Sequence, residues 1–301
     1  MSMNRRIFLK STAFTAGAAI ISNKIFAGLP PEGELTGVQL YSVRDQMKAD
    51  PLGTLKQVAA MGYKHVEHAS YNDRKFYGYP AKEFRKILDD LGLKMPSGHT
   101  VLGNRHWDAS KNEFTDLWKY TVEDAAILGQ TFVISPSLPP DNRKTVDDVK
   151  RFMVVFNKSG ELCQKSGMRF GYHNHDFEFT QKMGDTNLFD MILKETDPKL
   201  VIQQLDIGNM INGGAKALDI MQKYPGRFVS MHVKDEVLAA GGNEKYESTI
   251  LGTGIVPVKE VIDLGRKWGT KHFIIEQEAY QGKQPLDSIR EDLAIMKKWG
   301  Y

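Results

Sequence analysis

The feature that most constrains the fold is a unit that recurs along the chain: an amphipathic helical stretch, a glycine or proline, and then a short apolar segment. Residues 55–61, for example, pass through Gly62 into residues 64–68. Amphipathic periodicity predicts a helix, a short apolar run predicts a strand, and glycine or proline between them ends the helix. The chain is therefore predicted to alternate between helices and strands.

Eight predicted strands end in polar residues, at positions 37–41, 64–68, 94–99, 131–135, 169–173, 201–206, 228–232 and 272–276. Eight strand–helix units match the size of a (β/α)8 TIM barrel, whose active site lies at the carboxyl ends of the strands. A doubly wound sheet is the rival fold, but no dinucleotide-binding fingerprint follows an early strand. The nearest candidate, residues 252–257, comes late in the chain and has Pro257 in place of the third glycine. The sequence predicts one TIM-barrel domain over residues 28–301.

Residues 1–27 resemble a twin-arginine (Tat) signal peptide. Arg5 and Arg6 precede a mildly apolar run at 11–21, and residues 25–27 offer a small-residue cleavage site. The run is too short to span a bilayer, which takes about 20 apolar residues. We therefore expect export to the periplasm through the Tat pathway, with no membrane anchor.

The charge of the rest of the chain gives no reason to expect a nucleic-acid partner. The formal net charge is +3, but residues 1–27 hold four basic residues and no acidic one. The remaining chain holds 36 Lys+Arg against 37 Asp+Glu and is close to neutral.

Metal-capable side chains collect at the predicted strand ends. In a barrel these ends meet at one rim, and strands five to eight end in four such residues: His173, Asp206, His232 and Glu276. A single histidine at a strand end is usually structural, whereas four consecutive strands with such ends indicate a site. The set suits one divalent metal ion, with Mn, Co, Fe and Zn all compatible.

Several motifs, in this order, resemble one family: residues 37–45, 62–67, 97–99, 206–209, 232–235, 252–254 and 275–278. Together they are similar to xylose isomerase-like TIM barrels, a group of sugar isomerases and epimerases that also contains inosose dehydratases and endonuclease IV. The resemblance covers nearly all of residues 35–300. It implies one divalent metal held by Glu, Asp, His and Glu at the ends of strands five to eight, of which the last three match Asp206, His232 and Glu276.

Strand five departs from that pattern, because His173 stands where the family commonly has glutamate. The resemblance implies that epimerases use two metal-bound carboxylates as opposed acid and base, whereas this chain keeps Glu276 alone. The Tyr172-His173-Asn174-His175 run is similar to inosose dehydratases, which eliminate water beside a ketone. A second departure is Asn209, where epimerases often have histidine.

The expected chemistry is proton abstraction next to a carbonyl of a keto-sugar, leading to isomerisation, epimerisation or β-elimination. Glu276 is the first candidate for the base, and His175 or Lys234 would return a proton. For Lys234 the alternative is a surface ion pair with Asp235.

Five further residues are candidates for substrate binding: Tyr41, Arg44, Glu67, His99 and Glu278. For Glu67 and His99 a hydrogen-bonded structural role remains open, and for Glu278 a solvated charge at the rim.

Three functional classes remain open from the sequence. The leading one is a metal-dependent sugar isomerase, epimerase or lyase with a small-molecule carbohydrate as its partner. A sugar-binding barrel without turnover is the second, and an endonuclease IV-like nuclease is the third. The sugar, the metal and the formation of a homo-oligomer are left undetermined.

Overall fold

The computed structural model describes residues 34–301, and eight parallel strands in it close into a barrel. The strands are β1 Leu35–Gln39, β2 His65–His68, β3 Lys94–His99, β4 Phe132–Ser135, β5 Arg169–His173, β6 Val201–Asp206, β7 Phe228–Val233 and β8 His272–Ile275. Each strand pairs with the next, and β8 pairs with β1. The predicted (β/α)8 fold is confirmed, while the predicted signal peptide lies outside the described residues.

Helices surround the barrel and short antiparallel strands extend the loops after β2, β3, β5 and β7. The α-helices are α1 Arg44–Ala49, α2 Pro51–Met61, α3 Ala81–Asp90, α4 Asp116–Leu128, α5 Val146–Lys165, α6 Phe177–Thr180, α7 Leu188–Glu195, α8 Asn209–Asn212, α9 Ala217–Lys223, α10 Val258–Lys267 and α11 Pro285–Trp299. The longest hairpin pairs Asp235–Leu238 with Tyr246–Thr249 after β7. Within residues 34–301, no helix is both long and apolar enough to cross a bilayer.

The glycines that separate helix from strand in the sequence have a common conformational reason. Gly62 ends α2 with φ 100°, and Gly129 ends α4 with φ 77°. A positive φ is strained for a side chain other than glycine, so glycine reverses the chain there at low cost. Positive φ is also found at four other glycines that separate a helical stretch from an apolar one, namely Gly92, Gly167, Gly226 and Gly269.

The first strand ends two residues earlier than the sequence predicted. The Oε1 atom of Gln39 accepts a hydrogen bond from the backbone N–H of Tyr41 at 3.2 Å, which starts a 3₁₀ turn over Leu40–Val43. The chain therefore leaves the barrel after Gln39. As a result Tyr41 stands on the loop above the strand ends, with 42% of its surface exposed.

The barrel strands are buried on both faces, as parallel strands covered by helices require. Phe132 and Ile134 pack with Ile202 in one cluster, whereas Val133 between them packs with Trp118 and Phe156 in the cluster beneath the helices. This alternation shows how successive residues of a strand face opposite sides of the barrel wall.

The last helix buries a carboxyl group. The Oδ1 atom of Asp292 on α11 accepts a hydrogen bond from the N–H of Leu251 at 2.9 Å, while Oδ2 has no hydrogen-bond partner among the described residues. Burial raises the pKa of Asp292 to about 7. Folding therefore favours the protonated carboxyl group.

The raised pKa of Asp292 predicts how stability varies with pH. An unfolded aspartate has a pKa of about 3.9, so the folded protein binds the extra proton between about pH 4 and 7 and loses its stabilising effect as pH rises through that range. Relative to the wild type, the free energy of unfolding of Asp292→Asn should rise little at pH 4 and by on the order of 2–4 kcal/mol at pH 8, as measured by urea unfolding. Asp287→Asn, exposed on the same helix, is the control, and an equal effect at both pH values would contradict this account.

Candidate active site

Polar side chains inside the barrel form two layers, because residues two apart on a strand point the same way. The lower layer contains Glu67, Ser97, Gln204 and Ser230, and the upper layer contains His99, His173, Asp206 and His232. The register supports this assignment for β6 and β7, where Gln204 pairs with Ser230 and Asp206 with His232, while His173 on β5 pairs with Gln204. Glu276 joins the upper layer just beyond β8. The site thus lies at the carboxyl ends of the strands.

The Glu67 carboxylate is the centre of the lower layer. It accepts hydrogen bonds from Gln39 Nε2 at 2.8 Å, from Gln204 Nε2 at 2.9 Å and from Ser97 Oγ, and it lies 2.6 Å from His232 Nε2. Burial alone would raise the pKa of Glu67, but the neighbouring histidines hold it well below its usual value. Glu67 is therefore ionised and fully occupied by protein groups.

Gln204 connects this carboxylate to the histidines above it. Its Oε1 atom lies 2.7 Å from His99 Nε2 and 3.0 Å from His173 Nδ1. An amide oxygen only accepts, so each of these ring nitrogens carries its proton toward Gln204. This tautomer is assigned from the hydrogen-bond network, and it leaves Nε2 of His173 with a lone pair that faces Asp206. Glu67 likewise accepts the Nε2 proton of His232, so Nδ1 is the ring nitrogen that faces Glu276 and the site.

Four of these residues can hold a metal ion. His173, Asp206, His232 and Glu276 each place a nitrogen or oxygen within 4.8 Å of the others. Oδ1 of Asp206 accepts from the N–H groups of Gly208 and Asn209, whereas its buried Oδ2 makes no well-aligned hydrogen bond. Mixed imidazole and carboxylate donors suit divalent transition metals, so the residues fit the expected ion.

Lys234 is fully buried beside this group. Its Nζ atom lies 2.8 Å from Glu276 Oε2, 3.1 Å from Asp206 Oδ2 and 2.6 Å from Glu278 Oε2. Burial lowers the pKa of Lys234, but these carboxylates outweigh it and raise the pKa well above its ordinary value. The side chain is a buried ammonium ion, so the alternative of a surface ion pair with Asp235 is wrong.

Asp235 instead shapes the loop beside the site. Its two carboxylate oxygens accept the backbone N–H groups of Glu236, Gly252, Gly254 and Val256. A Cβ atom at position 254 would lie 2.3 Å from Asp235 Oδ1. Close packing against this aspartate therefore explains Gly254, whereas a φ of 77° explains Gly252.

Metal binding at this site has to displace a proton. Burial lowers the pKa of His232, but Glu276 and Glu67 on its two ring nitrogens raise it to about 10. A metal ion requires the neutral ring, because it binds the lone pair that the Nδ1 proton occupies. Metal affinity is expected to rise with pH as a result.

A cavity of about 610 Å³ opens above the cluster. His173 and Glu276 form part of its floor, and its wall includes Tyr41, Tyr71, His99, Arg105, His175, Asp176, Phe177 and Glu278. Burial lowers the pKa of His175, so this ring is neutral at neutral pH. The cavity gives a small molecule access to Glu276 and the histidines.

Residues 55–299 match the family described as xylose isomerase-like TIM barrel. The chain belongs to this family. An inosose dehydratase of Geobacillus thermodenitrificans is 28% identical over 137 residues, which cover 40% of this chain and 44% of that protein. The chain thus matches less than half the length of this curated relative.

Solved structures match this xylose isomerase-like barrel over a greater length. A sugar phosphate isomerase/epimerase from Parabacteroides distasonis is 26% identical, with a TM-score of 0.75 over 88% of this chain and 94% of that chain. An L-ribulose 3-epimerase has a TM-score of 0.66 at 12% identity, over 89% of this chain and 94% of that chain, and shows the shared fold alone.

The predicted substrate-binding residues occupy different places in this family member. Tyr41, His99 and Glu278 line the cavity, whereas Glu67 lies beneath it with its oxygens bonded to protein. Arg44 lines a neighbouring groove and donates to Tyr280 Oη at 3.1 Å and to the carbonyl of Glu278 at 3.2 Å. Substrate contact by these residues stays a prediction.

Sequence reasoning missed several residues of the site. Gln204 and Ser230 lie two residues before Asp206 and His232, so extending the period of two one step down each strand would have found them. Arg105 comes from a loop with no periodic pattern, and nothing in the sequence indicated that it lines the cavity.

The metal site can be tested by calorimetric titration with Co²⁺ or Zn²⁺ at fixed pH. Asp206→Ala removes a ligand and should abolish stoichiometric binding. Glu67→Gln keeps every ligand but weakens the hold on His232, and should lower affinity about 10–100-fold.

Asp219→Ala, on the exposed face of α9, is the matched control and should bind like the wild type. Circular dichroism should show a folded barrel for every variant. A fully metallated Asp206→Ala protein would contradict the ligand assignment.

Proposed function

We propose that this protein is a divalent-metal-dependent enzyme that removes a proton from the carbon next to a carbonyl of a keto-sugar or sugar derivative. The observation that carries the proposal is the buried contact between Lys234 and Glu276 at the floor of the cavity, where Glu276 also belongs to the four-residue group that fits a metal. Membership in the family, with relatives named dehydratase and isomerase/epimerase, supports the same chemistry.

The residues divide the work as follows. A bound divalent ion supplies Lewis-acid polarisation of the carbonyl oxygen. Burial raises the pKa of Glu276, but Lys234 and His232 lower it well below its ordinary value, so this carboxylate is ionised and able to accept a proton. Lys234 places a positive charge and a proton beside it.

β-Elimination is the reaction that this arrangement favours. The C–H electron pair forms the new double bond while its proton passes to Glu276, the C–O bond at the β carbon breaks, and the leaving oxygen takes a proton from Lys234. Epimerisation instead needs a second proton carrier on the opposite face. Where the family commonly has a second carboxylate this chain has His173, whose Nδ1–H is committed to Gln204 and whose Nε2 belongs to the candidate metal group, so the ring offers no free proton for exchange.

The other classes are separable from this one. A sugar-binding barrel would bind keto-sugars without turnover. A nuclease of the endonuclease IV type would need ligands for several metals, and within residues 34–301 the two candidate groups share His173 and His232 and form one cluster.

Replacing His173 tests the choice of reaction. We expect metal-loaded wild type to cleave a 3-keto-glycoside faster than it epimerises a free ketohexose at C3. His173→Glu adds the second carboxylate and should shift the ratio of the two rates toward epimerisation, as followed by NMR in deuterated water. His173→Gln, which adds no carboxylate, should lower both rates without that shift.

The opposite outcome is equally measurable. Rapid deuterium exchange with inversion of the ketohexose by wild type, and no product from the glycoside, would overturn the preference for elimination. No turnover of either compound, with binding of both, would support the sugar-binding barrel.

We also propose that residues 1–27 direct export through the Tat pathway. The paired Arg5 and Arg6 ahead of a weakly apolar run support this. Replacing both arginines with lysine should strand the precursor in the cytoplasm, whereas Lys10→Arg should not. An unchanged periplasmic yield of the double variant, measured by fractionation, would remove the proposal.

A further inference from the structure

A second cavity lies beside the candidate active site. It measures about 390 Å³ and is lined by residues that include Asn209, Glu236, Gly241 and Glu278. Glu278 lines both cavities. Lys234 Nζ lies 2.6 Å from Glu278 Oε2 and donates to Asn209 Oδ1 at 3.1 Å. The buried ammonium ion therefore binds two residues of the second cavity while it contacts Glu276 at the first.

Glu236 is the unexplained residue of this cavity. Its side chain is only 2% exposed, yet Oε2 has no hydrogen-bond partner among the described residues. A buried polar atom without a partner costs free energy, and a polar ligand in the cavity would supply the missing bond. Burial raises the pKa of Glu236 to about 8, so the carboxyl group both donates and accepts near neutral pH.

A glycine keeps Glu236 in this position. A Cβ atom at Gly208 would lie 2.7 Å from Glu236 Oε1 and 2.6 Å from Lys234 Cγ. The close approach of the β6–α8 turn therefore seats the Glu236 and Lys234 side chains side by side. One turn of the chain thus connects the candidate catalytic lysine with the wall of the second cavity.

The chemistry of the lining limits what can occupy it. Glu244 and Glu247 join Glu236 and Glu278 around the cavity, which disfavours phosphate and other anions. Within residues 34–301, both groups close enough to hold a metal ion lie at the barrel centre, so these glutamates are too dispersed for a compact cation site. The lining offers carboxyl and amide groups. These suit a neutral ligand with several hydroxyl groups, which can both donate and accept hydrogen bonds.

We propose that the second cavity is a subsite for a second sugar ring, so that the substrate is a glycoside spanning both cavities. The inference rests on the proposed function. The reacting ring lies over Glu276, the bond that breaks lies near Lys234 and Glu278, and the departing ring occupies the second cavity with its hydroxyls on Glu236.

The test compares a two-ring and a one-ring substrate with metal-loaded protein. The probes are 3-keto-cellobiose and methyl 3-keto-β-glucoside, which share the reacting ring. The wild type should show a KM at least tenfold lower for the two-ring compound. Glu236→Leu, which can neither donate nor accept a hydrogen bond, should reduce this difference, and Gly241→Trp, whose Cβ meets no atom within 4 Å, should fill the cavity and abolish it. Glu260→Gln, exposed on α10, is the control.

The outcomes separate the subsite from the reaction. Equal KM values for the two probes in wild type, or an equal change for both probes in Gly241→Trp, would overturn the subsite. Tighter calorimetric binding of the two-ring compound that is lost in Gly241→Trp, with no turnover of either probe, would sustain the subsite and overturn the proposed reaction. Stoichiometric Ca²⁺ binding that is lost in Glu236→Leu would show a cation site and overturn the proposal.

Discussion

The buried carboxylate of Glu67 is the group on which the arrangement of the site depends. An ionised carboxylate inside a protein is tolerated only when several donors surround it. Here the donors come from β1, β3, β6 and β7, and these strands meet at one point only because the barrel closes. The charge in turn holds His232, and through Gln204 it orients two more histidines. The layer that lines the cavity therefore rests on a layer buried beneath it.

Charge balance explains the position of Lys234. Asp206, Glu276 and Glu278 converge at the strand ends, and their mutual repulsion would be severe without a cation between them. Lys234 supplies one positive charge, and the four candidate ligand residues next to it could hold a metal ion that supplies more. The same lysine contacts residues on both cavities. A single buried ammonium ion thus links the charge balance of the metal group to the shape of the space available for substrate.

The chemical effect of His173, which stands where the family commonly has glutamate, depends on the residues around it. A histidine in place of glutamate removes one group that could accept a proton. A carboxylate can do so, whereas an imidazole whose two nitrogens are already engaged cannot. Gln204 engages one of these nitrogens, because its Oε1 atom lies 3.0 Å from His173 Nδ1. The proposed preference for elimination therefore depends on a pair of residues, His173 and Gln204, of which only His173 belongs to the sequence motif.

Local signals in the sequence were enough to predict the barrel and the convergence of four side chains that could hold a metal ion. Helical periodicity, glycines that need positive φ, and the alternation of side chains along a strand are all properties of neighbouring residues. These signals could not predict that Glu67 lies at the centre of the lower layer, because it contacts His232, which is 165 residues away along the chain. The burial of Lys234 and the second cavity at Glu236 likewise depend on how separate loops meet above the closed barrel. Long-range packing decides which polar side chains are buried away from water and which of these keep a polar atom without a hydrogen-bond partner. No local sequence pattern carries that information.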